Sequence, residues 1–287
     1  MDTKISNLSR FASVEKKVVA KDGTTKFLLR LLDGNLIECV LLLQDYGNTV
    51  CISSQVGCKM NCAFCSSGTC GYVRDLSMEE MLVQVLIARK NADKPVNHCV
   101  VMGVGEPFDN FDNVMKFLNA VDIGARKISV STCGLPDKIR AFADLGMQVN
   151  LCISLHAPND AVRGKIMPIA KTHKINDVLV AAKYFFNKTK RRVIFEYALI
   201  DKVNCMPEHA RELARVLRDL HISAHVNLIK CNPANDLKAP STETCMLFMD
   251  TLIKSGISCT MRKGKGTEIM AACGQLRAEN GGQNAKD

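Results

Sequence analysis

The sequence predicts an α/β protein built on a parallel sheet, from three observations. From about residue 48, short runs rich in Val, Ile and aromatic residues alternate with helical patterns. Helix-start and helix-stop residues stand at the junctions. No strong break interrupts six successive strand–helix units, which argues for a sheet curved into a barrel or partial barrel. An open doubly wound sheet is the competing arrangement.

The expected strands, in order, are NTVCISSQ, NHCVVMG, KISVSTC, VNLCISL, RRVIFEYALI and AHVNLIKC. Between them lie the helical patterns SMEEMLVQVLIARKNA, NFDNVMKFLNAV, LPDKIRAFADLG, DVLVAAKYFFNK and PEHARELARVLRDL. TETCMLFMDTLIKSG and ISCTMRK supply a closing helix and strand. Ser77 with Glu80 makes an S-x-x-E capping box at the first helix start. Asn110 suits the cap of the second helix, Pro136 the first turn of the third, and Gly146 follows that helix's end. Residues 1–37 read as a short accessory segment or sheet edge, 38–276 as the core, and 277–287 as a disordered tail.

Composition excludes several classes. With 287 residues, 47% apolar and 23% charged, the chain suits one large α/β domain or two small ones and is not disordered in character. No secretory pattern opens it, and no apolar run approaches the ~20 residues of a spanning helix. A soluble, cytoplasmic protein without a membrane partner is expected. Fourteen cysteines, most scattered singly, fit reduced thiols, and Cys99, Cys152 and Cys259 sit in apolar runs as core residues. The net charge of +9 favours a polyanionic partner. The clusters Lys188–Arg192 and Arg262–Lys265 can touch phosphates or serve as solvated surface.

Function in a parallel α/β sheet gathers at the C-terminal strand ends. The first expected strand runs into a cysteine loop and the second ends in Gly103-Val-Gly-Glu-Pro107, with Gly105 and Glu106. The third ends near Ser131, the fourth at Ser154-Leu155-His156, and the sixth at Asn232-Pro233. Taken singly, Gly105 reads as a turn residue, His156 as a satisfied structural histidine, and Ser131 and Ser154 as backbone caps. Their shared location points to one polar pocket.

The loop GCKMNCAFCSSG places Cys58, Cys62 and Cys65 in a C-x3-C-x2-C spacing. A closed zinc site needs a fourth ligand, for which Cys70 is the candidate. A [4Fe–4S] cluster held by three thiolates instead leaves one iron open. A molecule with an amine and a carboxylate, such as S-adenosylmethionine (SAM), can chelate that iron, and this spacing is associated with that use.

In four stretches the chain resembles the radical SAM superfamily and, more narrowly, the RlmN/Cfr family of RNA adenine methyltransferases. They are CISSQVGCKMNCAFCSSG, GVGEPFDN, SLHAPND and GTEIMAACGQL. The resemblance implies a partial (β/α)6 radical-SAM barrel over 38–276 with a short N-terminal extension. It implies a [4Fe–4S] cluster on Cys58, Cys62 and Cys65. SAM would meet Gly105, Glu106, Ser131, Ser154, Leu155, His156 and Asn232. Cys273 corresponds to the cysteine that is methylated, Cys51 to a second reactive cysteine, and Glu38 to a proton acceptor. Three departures stand out: Glu268 replaces the usual Asp, Cys231 an aromatic residue, and the N-terminal accessory domain is shorter.

The implied chemistry is methylation of an adenine ring carbon in 23S rRNA, and in tRNA as well. Such a carbon is too weakly nucleophilic to attack a sulfonium methyl directly. The family therefore first methylates Cys273, then joins it to the base by a radical route. Cys51 resolves the adduct through a disulfide with Cys273. C2 is the expected carbon, with C8 the alternative. A flavodoxin-type electron donor and a monomeric enzyme are expected. Two readings stay open: a radical SAM enzyme with a non-RNA substrate, and a zinc or iron–sulfur module without catalysis.

Overall fold

The computed structural model describes residues 8, 10–69, 71–232 and 237–276, and the chain divides into two compact units. The tail at 277–287, Cys70 and Pro233 lie outside the described residues. The first unit comprises Met1–Asn61, Cys65–Val130 and Lys265–Asp287. The second comprises Cys62–Phe64 and Ser131–Gly264.

In the first unit, β1 (Ala12–Val19), β2 (Thr25–Leu31), β3 (Leu36–Leu42) and β4 (Asn48–Ile52) pair antiparallel in chain order. The sequence TKFLLRL of β2 explains the arrangement: Phe27, Leu29 and Leu31 point into the core, while Lys26, Leu28 and Arg30 take the other face. Burying each of these three large side chains contributes about 2 kcal/mol. β1 is the sheet edge, and its exposed Glu15, Lys16 and Lys17 discourage further strand pairing. β4 pairs parallel with β7 (Val96–Val101), and β7 with β8 (Ile128–Thr132). β5 (Gln55–Gly57) and β6 (Tyr72–Asp75) form a separate antiparallel ribbon.

Two helices belong to this unit, α1 (Met78–Asn91) and α2 (Phe111–Ala120). The expected capping box starts α1: Ser77 Oγ accepts from the Glu80 N–H at 3.2 Å, and Glu80 Oε2 accepts from the Ser77 N–H at 2.9 Å. Arg74 clamps the same Glu80 carboxylate with two nitrogens at 2.8 Å each. Asn110 does precede α2, but its side chain does not cap it. Its Nδ2 instead donates to the Ser54 and Leu76 carbonyls, both at 2.8 Å. Buried carbonyls left unpaired are costly, so they claim the amide ahead of the exposed helix start.

The second unit carries β9 (Asn150–Ser154), β10 (Val193–Leu199), β11 (Ala224–Lys230) and β12 (Cys259–Met261), all parallel and paired in that order. Helices α3 (Pro136–Asp144), α4 (Asp160–Ile166), α5 (Ile175–Thr189), α6 (Pro207–Asp219) and α7 (Thr242–Lys254) alternate with them. Pro136 occupies the first turn of α3, and Gly146 follows it at φ +64°. The short α4 was not anticipated. Asn159 caps it, accepting from the Val162 N–H at 2.9 Å. Cys99 and Cys152 are core residues as expected, whereas Cys259 is half-buried because β12 is an outer strand. Among the described residues, no helix is long and apolar enough to cross a membrane.

Candidate active site

Strand register in the first unit sets Lys26 opposite Val40, and Val40 opposite Cys51. These three residues therefore form a row on one face of β2, β3 and β4, and Glu38, two positions from Val40, shares that face. The Glu38 carboxylate is buried and meets Lys26 Nζ at 2.7 Å, while its backbone oxygen accepts from Ser53 Oγ at 2.6 Å. Cys51 is half-buried, whereas the neighbouring Cys39 and Cys99 are fully buried. Burial raises both of those thiols, with Cys51 adding to the effect. Cys51 is thus the accessible thiol of the three.

The segment carrying Cys273 is fastened to this unit at both ends. Gly266 N–H donates to Asp22 Oδ2 at 3.2 Å, Lys21 N–H to Glu268 Oε1 at 2.6 Å, and Lys26 Nζ to the Met270 carbonyl at 3.3 Å. Lys265 Nζ donates to the Leu43 carbonyl. Gly266 has φ +63°, and a Cβ there would come within 2.7 Å of Thr24 Cγ2, so glycine is required by conformation and by space. Farther on, Ser66 N–H donates to the Gly274 carbonyl at 2.7 Å and Ser67 Oγ to the Leu276 carbonyl at 2.8 Å. Ser66 directly follows Cys65, so the backbone beside Cys273 lies against the end of the cysteine loop. Cys273 itself is exposed.

Elsewhere in the first unit, Cys58 donates its N–H to the Gly71 carbonyl at 3.0 Å. Burial pushes its thiol up to about 12. Gly105 has φ +108° and packs so closely that a Cβ would sit 2.6 Å from Gln55 Cβ. The same Gln55 accepts from the Glu106 N–H at 2.8 Å, and Glu106 Oε1 accepts from the Phe108 N–H at 3.0 Å. Among the described residues, no three His, Cys, Asp or Glu side chains are grouped tightly enough to hold a metal ion. In donor chemistry, however, the loop fits an iron–sulfur cluster: three thiols of intermediate burial and no disulfide.

In the second unit, Cys62 leads a segment held by α4, with Ala63 N–H donating to the Ile166 carbonyl at 2.9 Å. The Phe64 ring packs edge-on to His156, with centroids 4.6 Å apart. Ser131 Oγ and Ser154 Oγ lie 3.3 Å apart. His156 is buried with φ +56°, and its Nδ1 accepts from the Ala198 N–H at 2.9 Å. Burial first, and then Arg163, brings its pKa down to about 3, which keeps the ring neutral. The His156 carbonyl in turn accepts from Asn204 Nδ2 at 2.8 Å. Asn232 is half-buried just past β11.

Each expected polar residue thus stands at or just beyond the C-terminal end of its strand: Gly105 and Glu106 after β7, Ser131 in β8, Ser154–His156 at β9, and Asn232 after β11. Two residues escaped the sequence reading. Arg163 is completely buried on α4, and its guanidinium donates to the carbonyls of Leu155 (3.2 Å), His173 (3.2 Å) and Cys133. An arginine on the same helical stripe as Ile166 was the available signal. Lys26 carried no such signal, because a lysine on a half-buried strand face is ordinary.

Two further expectations are modified. The described cysteines carry no disulfide, so none is part of the structure described here. The basic clusters are partly committed internally: Lys188 pairs with Asp144 at 3.3 Å and Arg262 with Glu196 at 3.5 Å.

Residues 52–225 match the family model of the radical SAM superfamily. A probable dual-specificity RNA methyltransferase RlmN of Clostridium tetani is 46% identical, the match covering 96% of this chain and 81% of the relative. The counterpart from Enterococcus faecalis is 47% identical, over 91% of this chain and 77% of its own. The crystal structure of a radical SAM methyltransferase from Sphaerobacter thermophilus superposes with a TM-score of 0.90 at 39% identity, covering 96% of this chain and 86% of that one. That similarity agrees with the fold class expected from the sequence, a mixed α/β fold with a parallel sheet.

Proposed function

This chain belongs to the radical SAM superfamily and, within it, to the RlmN family of RNA methyltransferases, and from that premise we propose that it methylates C2 of adenine in RNA through Cys273. The dual specificity in the relatives' names supports two RNA targets, which we take to be 23S rRNA and tRNA. The observation that carries this reading is the hydrogen bond from Ser66 to Gly274, which holds the backbone next to Cys273 against the residue following Cys65.

Cys58, Cys62 and Cys65 would hold the [4Fe–4S] cluster, and Gly105, Glu106, Ser131, Ser154, Leu155, His156 and Asn232 would hold SAM. When bound, these groups supply an electron, a methyl group and the means of activating that methyl carbon. The chain's own residues do the rest. Cys273, exposed and so open to reaction, takes the methyl group on Sγ and loses its thiol proton. After losing one hydrogen atom to the activated SAM that would be bound there, the carbon carried by Cys273 bonds to the adenine ring, joining enzyme and RNA. Restoring the ring's aromaticity releases one electron, which would return to the cluster, and one proton, which Glu38 receives. Cys51, as its thiolate, then attacks Cys273 Sγ: a disulfide forms, the bond from Cys273 Sγ to the CH2 carbon breaks, and that carbon takes up a proton to become the methyl group of the released base. Glu38 and Cys51 lie on one sheet face, diagonal to one another at about 7 Å. The target base leaves its stack to reach them. The enzyme works as a monomer with a flavodoxin-type electron donor.

The test is mass spectrometry of nucleosides from 23S rRNA and tRNA of cells with the gene, without it, and with Cys273→Ala. The expected result is 2-methyladenosine only with the unaltered gene. Persistent methylation by Cys273→Ala would remove the cysteine route. A mass shift at the same residue but with C8 chemistry would move the target carbon.

A further inference from the structure

We propose that Lys26 is a positioning residue for this reaction: it aims the Glu38 carboxylate and couples it to the segment that bears Cys273. The inference rests on the roles proposed above for Glu38 and Cys273.

The Lys26 side chain touches both sides. Its Nζ lies 2.7 Å from Glu38 Oε1 and 3.3 Å from the Met270 carbonyl, three residues before Cys273. Its side chain is 15% exposed and that of Glu38 is 8% exposed, so the pair is largely shielded from water and less screened than a surface pair. Register places Lys26 in the same cross-strand row as Cys51, two strands away, with Glu38 on the strand between them. A lysine has three rotatable donors, so it can hold a carboxylate and a carbonyl at once.

The neighbouring contacts make this coupling specific. The β1–β2 turn donates the Lys21 N–H to Glu268 and presents Asp22 to the Gly266 N–H, so the whole turn grips residues 266–270. Glu268, the departure from the family's usual Asp, is the residue that reaches Lys21, at 2.6 Å. Residues preceding β3 thus help place the thiol that carries the methyl group. In a reaction whose last proton transfer needs Glu38 beside the joined base, a cation bridging Glu38 and the carrier segment keeps the acceptor where the proton is released.

The experiment uses the reconstituted holoenzyme with Lys26→Met, Lys26→Arg, Glu38→Gln and the Lys26→Met/Glu38→Gln double variant. Three readouts are taken: Cys273 methylation by intact-protein mass, kcat and KM for RNA methylation, and protein–RNA adduct on a denaturing gel. Lys26→Met should keep Cys273 methylation, lower kcat by roughly tenfold to a hundredfold, and accumulate adduct. KM should stay within about twofold. Lys26→Arg should recover most of the rate, and the double variant should be no slower than Glu38→Gln alone. Wild-type kcat in Lys26→Met, or losses that multiply in the double variant, would overturn the proposal. Should Lys26→Met fail to fold, Lys26→Gln keeps a donor for Met270 and carries the same expectation. If Cys273→Ala still methylates RNA, the underlying reading fails. If that variant is inactive while Lys26→Met is normal, only the role of Lys26 fails.

Discussion

Around His156 in the second unit, the buried side chains of His156 and Arg163 bond to backbone, whereas around Cys51 in the first unit Lys26 bonds to a carboxylate and to a fastened loop. Arg163 is fully buried and gives its guanidinium to three carbonyls from separate parts of the chain. His156 accepts from one backbone N–H and presents its carbonyl to Asn204. Lys26, by comparison, is partly exposed and holds one carboxylate and one carbonyl. The difference separates two tasks. Satisfying buried carbonyls with a rigid planar cation fixes strand ends and contributes stability. Contacts made by a single ammonium hold Glu38 and the Met270 carbonyl in place yet re-form easily, which suits a segment whose thiol, on the function proposed above, is methylated, joined to a substrate and released.

The largest expected effect tests the first half of that contrast. Arg163→Met removes the donor from three carbonyls without opening a large void. At about 1–3 kcal/mol for each of the two buried carbonyls that lose this donor, those of Leu155 and Cys133, the loss should be roughly 2–6 kcal/mol. Urea unfolding of the purified protein measures it. A loss below about 1 kcal/mol would mean that water reaches these carbonyls and that the region is not the rigid one.

A smaller effect is expected from pH. His156 is held neutral, its pKa brought down to about 3 by burial and by Arg163, against 6.5 for an ordinary histidine. The unfolded chain therefore binds the proton more readily, so this contribution is complete above about pH 6.5 and is lost as pH falls toward about 3. Relative to neutral pH, the wild type should lose about 2 kcal/mol at pH 5 from this residue. His156→Asn suits the left-handed backbone at that position and lacks the titration. It should be less stable at pH 7 yet show a flatter pH dependence. Parallel curves for the two proteins would show that His156 is open to water.

How much of this was legible in the sequence follows from how local each feature is. The capping box at Ser77 and Glu80, Pro136 in its first turn, and the strand–helix alternation are decided within a few residues, and the structure contains all of them. The cysteine spacing and the residues at strand exits were equally legible, because their positions follow from where strands end. Asn110 stands at the helix start as expected, but its side chain's partners, Ser54 and Leu76, are distant in sequence and were not legible. Lys26 and Arg163 were missed for the same reason. Only strand register brings Lys26 to Glu38, and only tertiary packing brings Arg163 to Cys133, 30 residues away.

The smallest expected effect on stability carries the most information about the other region. Cys51 is half-buried on β4, so Cys51→Ala removes one partly shielded sulfur and should change unfolding free energy by about 1 kcal/mol or less. Its chemical consequence should be far larger. With Cys273 still able to take up the methyl group and bond to the base, nothing remains to attack its sulfur, and a covalent protein–RNA species should build up to a large fraction of the enzyme. Denaturing gels with labelled RNA detect it, and digestion followed by mass spectrometry places the link at Cys273. The pairing of a near-neutral stability change with a trapped adduct is what distinguishes a working thiol from a packed one. Normal turnover by Cys51→Ala would make Cys51 a wall of the sheet like Cys39 and Cys99, and the contrast between the two regions would then be one of exposure rather than of task.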